Sequence, residues 1–179
     1  MLPAEVTRTG EIRVAVRLTS RSHCPVAYID QDPGATLNPV RRVGGQIVEV
    51  VRRNRTTDKG AARAIALDLF RRLSLSDALF DAYPHQLSGG QQQRAAIARA
   101  IACDPALLIA DEPGSALDVV TQLELIEALS SWRRELGCAV LLISHDAALI
   151  QSLCDRVMEL KHGTLQARRP VLAHAERCA

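Results

Sequence analysis

Lysine is nearly absent. The 179-residue chain holds only Lys59 and Lys161. Neither follows a glycine, so the phosphate-cradling pattern G-x-x-x-x-G-K-[ST] does not occur in it. Gly44-Gly45-Gln46 is a glycine pair inside a helical stretch, not a phosphate loop. Aromatic residues make up 3% of the chain, which leaves few platforms on which single-stranded nucleic acid could stack. A net charge of +2 removes the strong field of a nucleic-acid or anionic-membrane binder, and no nucleic-acid partner is expected. No apolar run reaches the ~20 residues of a bilayer span, and no charged-then-apolar leader opens the chain. A role at a membrane would therefore run through partners. The five cysteines (Cys24, Cys103, Cys138, Cys154, Cys178) are scattered, odd in number and without paired metal-ligand spacing. They read as reduced cytosolic thiols used mostly for packing.

What remains is enough for one core: a single domain, with room for a subdomain. Glu11–Val16 alternates polar and apolar residues like a half-exposed strand. Pro25–Ile29 is a short apolar strand that ends in the turn-rich Asp30-Gln31-Asp32-Pro33-Gly34. From Val43 to about Asp81 the period is helical, with Val43, Ile47, Val50 and Val51 on one helix and Ala62, Ile65, Ala66, Leu69 and Leu73 on another. Arg52-Arg53-Asn54-Arg55 between them reads as a solvated connection. Further on, Ala106–Ala110 and Ala139–Ile143 are continuous apolar runs, the pattern of strands buried on both faces. A helix from about Val119 to Leu136 separates them, with Leu125, Leu129, Trp132 and Leu136 on one stripe and Gly137 as its stop. This is a β-α-β unit, so the two strands should be parallel. A helix near Ala147–Cys154 and a strand at Arg156–Leu160 follow, and the tail after Gly163 carries little pattern.

The stretch Tyr83–Arg94 organises the chain. Ser88 can cap a helix, and Gln91 three residues later completes a capping box. Gly89 and Gly90 remove side chains where something can approach the backbone. Ala95, Ala96, Ile97, Ala98, Ala100, Ile101 and Ala102 continue the helix until Asp104-Pro105. The result is a helix N-terminus suited to an anion. An ordinary capped surface helix would share these features, so the rest of the chain must decide. Asp111-Glu112-Pro113 follows the first buried strand and Ser144-His145-Asp146 the second. Ligands collect at the carboxyl edge of such strands, so connectivity alone puts Asp111, Glu112 and His145 on one rim. Each alone has a bland reading as a strand-end residue; together with the capped helix they form a constellation.

Leu87-Ser88-Gly89-Gly90-Gln91, with Gln93-Arg94 just after, resembles the signature motif of the ATP-binding cassette (ABC) ATPases. Tyr83-Pro84-His85-Gln86 before it, and Leu37-Asn38-Pro39, look like the branch that serves peptide, nickel and related importers. The resemblance covers roughly residues 1–165. It implies an α/β fold: an incomplete ABC-type nucleotide-binding domain with a mostly parallel sheet core, a helical subdomain at about 40–95 and a short tail at 166–179. It also implies ATP and Mg2+ as cofactors. Ala106–Glu112 is similar to a Walker B strand, which would give Asp111 the metal shell and Glu112 the role of general base toward the attacking water. Gln31 sits like the Q-loop glutamine that senses metal and water. His145 matches the switch histidine at the γ-phosphate. Ser88, Gly89, Gly90 and Gln91 would meet nucleotide. Ser115–Asp118 is similar to the D-loop, placing Asp118 at the same nucleotide site.

By the same resemblance the partners are a second ABC ATPase subunit, in a homo- or heterodimer, and membrane permease subunits. The chain would then lie in the cytoplasm, peripheral on the inner face of the membrane, coupling ATP hydrolysis to import of a peptide or similar small solute. Chromosome-maintenance and DNA-repair ATPases share related motifs but carry long insertions, and the middle segment here is compact. Against the family pattern stand the absent Walker A, Asp30 where an aromatic is usual, Gly114 where threonine or serine is commoner, and a short tail. The missing front block implies an open sheet edge, exposed apolar surface and a marginally stable chain. It also implies no autonomous hydrolysis. Two further readings follow: a non-hydrolysing partner that supplies only the signature half of a composite site, or a remnant without function.

Overall fold

The computed structural model describes residues 26–32, 36–114, 117 and 119–167. Strand β1 (Val26–Ile29) starts the described chain. The chain then leaves the sheet to build a helical lobe from α1 (Val43–Asn54), α2 (Lys59–Arg72) and α3 (Gly89–Ile101). It returns as β2 (Leu107–Asp111), crosses through α4 (Val119–Leu136) and re-enters as β3 (Ala139–Ile143). Helix α5 (Ala147–Leu153) and the strands β4 (Met158–Lys161) and β5 (Thr164–Ala167) follow. The sheet order is β1-β2-β3, all parallel, with Ala27 opposite Leu108 and Leu108 opposite Val140. The β-α-β reading of residues 106–143 therefore holds, and Gly137, at φ +63°, ends α4 as anticipated.

The helical lobe is packed to completion. Val43, Ile47 and Val51 of α1 meet Ala62, Ala66 and Phe70 of α2 in one core, and all are fully buried. Phe70 and Phe80 meet edge to face at 5.3 Å, the arrangement that aromatic quadrupoles favour. Arg42 gives α1 no side-chain cap; its first N–H groups are met by tertiary partners, Val43 donating to the Ala82 carbonyl (2.9 Å) and Gly44 to the Phe80 carbonyl (2.8 Å). A Cβ at Gly44 would stand 2.2 Å from the Phe80 ring, so glycine is required for that approach. Asp58 caps α2 by accepting from the Ala61 N–H at 2.6 Å. The segment 52–55 corrects the sequence reading. It forms the end of α1 and its cap, and Arg55 turns inward to donate to the Ile101 carbonyl (2.8 Å) and pair with Asp104. A guanidinium that satisfies a helix-end carbonyl is structural rather than solvated.

The sheet is finished on one face only. Ala27, Ile29, Leu108 and Ala110 point into the core, where α3 packs against β1. On the other face Tyr28 (49%), Leu141 (51%) and Ile143 (48%) are open. The expectation that β2 and β3 are buried on both faces fails, because among the described residues nothing covers that face. Among the described strands β3 stands at an edge; the strands expected ahead of β1 lie outside the described residues. β4 and β5 form a separate antiparallel hairpin. Its two-residue turn, His162-Gly163, has φ of +49° and +77°, the backbone that a right-twisted hairpin prefers. β5 was not anticipated in the tail, and the predicted strand at 156–160 runs over 158–161. The predicted strand Glu11–Val16 and residues 168–179 lie outside the described residues.

Candidate functional site

The start of α3 is built as its sequence suggested. Ser88 Oγ accepts from the Gln91 N–H (3.3 Å), and Gln91 Oε1 accepts from the Ser88 N–H (2.9 Å). The box is preceded by a second one, in which Gln86 Oε1 accepts from the Tyr83 N–H at 2.8 Å. Gln92 donates back to the Pro84 and Leu87 carbonyls, so the loop entering the helix is tied on both sides. Ser88 and Gly89 are exposed, and nothing lies within 4 Å of where a Gly89 Cβ would be. An anion can therefore reach the backbone there, at the positive end of a 13-residue helix. Arg94, one turn on and mostly buried, donates to the Leu73 and Ser74 carbonyls and pairs with Glu124. It locks the first turns of α3 against the end of α2 and against α4.

The rim of the sheet carries the acids. β2 ends at Asp111, whose Oδ2 accepts from the Tyr28 hydroxyl at 3.0 Å. That hydrogen bond to the carboxylate raises the Tyr28 pKa above its usual value. Glu112 follows with φ +45°, a left-handed conformation that is uncommon for a side-chain-bearing residue. Its N–H donates to the Ile143 carbonyl at 2.9 Å, fixing the turn against β3. Its Oε1 accepts from the His145 N–H (3.0 Å) and lies 2.6 Å from His145 Nδ1; its Oε2 accepts from Ser144 Oγ (3.3 Å). The Glu112 side chain is 19% exposed and that of His145 85%. Hydrogen bonding to Glu112, then its negative charge, raises the His145 pKa from its usual 6.5. Asp146 caps α5 through the Ala148 and Leu149 N–H groups and accepts from Gln122 Nε2 at 2.6 Å. Those backbone donors, followed by Gln122, lower its pKa.

Asp111, Glu112 and His145 thus meet on one rim, as connectivity predicted. Gln31 stands exposed just past β1, with no recorded bond to Asp111 or Glu112. Asp118 and the neighbouring Ser115 and Ala116 lie outside the described residues. Among the described residues, no hydrogen bond or ion pair joins Ser88, Gly89, Gly90 or Gln91 directly to the side chains of Asp111, Glu112 or His145. Tyr28, Ser144, Gln122 and Gln93 were not singled out from sequence. Tyr28 had a signal: strand alternation puts it on the face opposite Ala27 and Ile29, and the register carries that face to Asp111.

The donor set has a definite chemical fit. No cluster of three or more His, Cys, Asp or Glu side chains able to hold a metal occurs among the described residues. A lone Asp111 carboxylate, with one oxygen engaged by Tyr28, fits a Mg2+ that draws its other oxygens from phosphate and water. A groove of about 540 Å3 lies elsewhere, on the helical lobe between Arg41, Glu49, Arg52 and Arg53. No described helix is long and apolar enough to cross a membrane.

Comparison with known proteins agrees with this geometry. A family model described as ABC transporter matches residues 5–115. The chain is 44% identical over 142 residues to the probable D,D-dipeptide transport ATP-binding protein DdpD of Escherichia coli (strain K12), covering 78% of the chain and 43% of that protein. It is 44% identical over 140 residues to the dipeptide transport ATP-binding protein DppD of the same organism, covering 77% of the chain and 43% of that protein. The chain therefore spans less than half the length of these curated relatives. Among solved structures it resembles the dimeric post-hydrolysis state of the ATP-binding cassette MJ0796 bound to ADP and Pi, with a TM-score of 0.75 at 27% identity, over 83% of the chain and 63% of that structure. CbiO1 from Clostridium perfringens, part of the ABC transporter complex cbiONQ, gives a TM-score of 0.68 at 27% identity, over 79% of the chain and 55% of that structure.

Proposed function

The chain belongs to the ABC transporter family, and from that premise we propose that it is the ATP-binding subunit of an importer of peptides or similar small solutes. The observation that carries the reading is the rim itself. A strained Glu112 is pinned beside Asp111 and paired with His145, at the carboxyl edge of a parallel sheet. Glu112 is the general base that orients the attacking water, and it is freed when His145 turns toward the phosphate. His145, with its raised pKa, brings a hydrogen-bond donor to the charge that develops there. Asp111, assisted by Gln31, holds Mg2+, which when bound neutralises phosphate charge. Ser88 Oγ and the N–H groups of Gly89 and Gly90 receive the phosphates of ATP held by a second ABC ATPase subunit, with Gln91 keeping Ser88 in its cap. Asp118, by its likeness to the D-loop, is assigned to the same nucleotide site. The permease subunits anchor the assembly at the inner face of the membrane.

A second reading starts from the exposed, capped N-terminus of α3 alone. In it the chain contributes only the signature half of a composite site and does not hydrolyse ATP at its own rim. The two are separated by ATP hydrolysis in the transporter assembly purified from its own cell. If both halves work, Ser88→Arg and Glu112→Gln each reduce turnover, the latter by about 10^2–10^4-fold at the site it serves. If only the signature half works, Ser88→Arg reduces turnover and Glu112→Gln leaves it unchanged. Loss in neither variant overturns both readings.

A further inference from the structure

Among the described residues, Gln93 is the one fully buried amide that reaches from the helical lobe to the acidic rim. It lies in the second turn of α3, only 1% exposed, and its Nε2 donates to the Pro113 carbonyl at 3.1 Å. Pro113 directly follows Glu112, so this bond holds the backbone on the far side of the strained residue. The near side is held by the Glu112 N–H on the Ile143 carbonyl. The other end of the amide is unusual: Gln93 Oε1 is buried and has no hydrogen-bond partner. Turning the amide over would not help, because it would set two acceptors against each other at Pro113. A buried acceptor left unmade lowers stability, so this glutamine is a poor choice for packing alone.

We propose that Gln93 is a positioning residue for Glu112. Its single bond fixes the turn after β2 and keeps the left-handed Glu112 aimed at His145 and Ser144. The tether also makes the start of α3 and the base-bearing turn move together. Gly90 adds to this connection, since a Cβ there would lie 3.3 Å from Leu117 in the segment just beyond. Any anion that draws on the exposed N-terminus of α3 thereby acts on the turn that carries the carboxylate. The assignment of Glu112 as the base rests on the function proposed above; the tether does not.

The test is hydrogen–deuterium exchange on the whole chain without nucleotide, comparing the wild type with Gln93→Met, a nearly volume-conserving swap that removes both the tether and the orphan acceptor. The expected result is a thermal midpoint that is unchanged or higher, together with exchange about tenfold faster in peptides spanning 107–114 and 139–146, and unchanged exchange in α1 and α2. Gln93→Leu gives the same comparison if methionine does not pack. Unchanged exchange at the rim overturns the proposal. So does a uniform acceleration across all peptides, which is the mark of a merely structural role. Because no nucleotide is present, a loosened rim in a protein whose assembly never hydrolyses ATP would sink the functional reading and leave the tether standing.

Discussion

The helical lobe and the parallel sheet are both rich in apolar sequence, yet they end in different states. In the lobe, α1 packs on α2 and Phe80 on both Gly44 and Phe70, while α3 turns a further face to β1. In the sheet, one face is closed by α3, while Tyr28, Leu141 and Ile143 on the other look outward. Three parallel strands need layers on both faces, and helices need only one another. The α1–α2 pair thus closes on itself, and the sheet is the half of a layered core that asks for a cover.

Three measurements break or sharpen this contrast. The largest effect is expected in the lobe: Phe80→Ala should lower unfolding stability by about 3–5 kcal/mol, because the cavity is walled by fixed helices. Urea unfolding followed by far-UV circular dichroism measures it, and a loss below about 1 kcal/mol would show that the lobe is not closed. On the open face, the double change Leu141→Lys and Ile143→Lys should alter stability by only about 0.5 kcal/mol or less while reducing self-association seen by light scattering. A loss like that of Phe80→Ala would mean that the face is covered in solution. The smallest effect belongs to the exposed rim. The folded His145 pKa is raised, so its contribution is complete below about 6.5, the unfolded value, and fades as pH climbs through the folded value. After correction for the intrinsic base-catalysed rate, protection of the His145 amide should therefore fall as pH rises above about 6.5, with no comparable fall in Glu112→Gln.

The same contrast decides what could be read in advance. The capping box of Ser88 and Gln91, the stop at Gly137 and the helical faces of Val43–Val51 are local, set by side chains within one or two turns of each other, and they were legible. The rim was legible as a set of strand ends. What escaped was anything that depends on a neighbour far along the chain. Arg55 looked like part of a basic surface run until the end of α3 arrived beneath it. The buried look of Leu141 and Ile143 reflects what a finished sheet would do, not what the described strands achieve. The strand Thr164–Ala167 hid because four exposed residues show no apolar period. The bond from Gln93 to Pro113 needed three-dimensional register that no spacing rule supplies.

The insertion of the whole helical lobe between adjacent strands β1 and β2 has a consequence in time. Tyr28 and its partner Asp111 are 83 positions apart. At about 5–20 residues per second, roughly 4–16 s separate their synthesis, and domains tend to fold as the chain emerges. The lobe can close entirely within that interval through near-neighbour contacts, while β1 waits for a partner that does not yet exist. Each new molecule therefore carries β1 with its β2 side unpaired through the first seconds of its life. A ribosome-associated chaperone would find that side, at Val26–Ile29, before β2 is made.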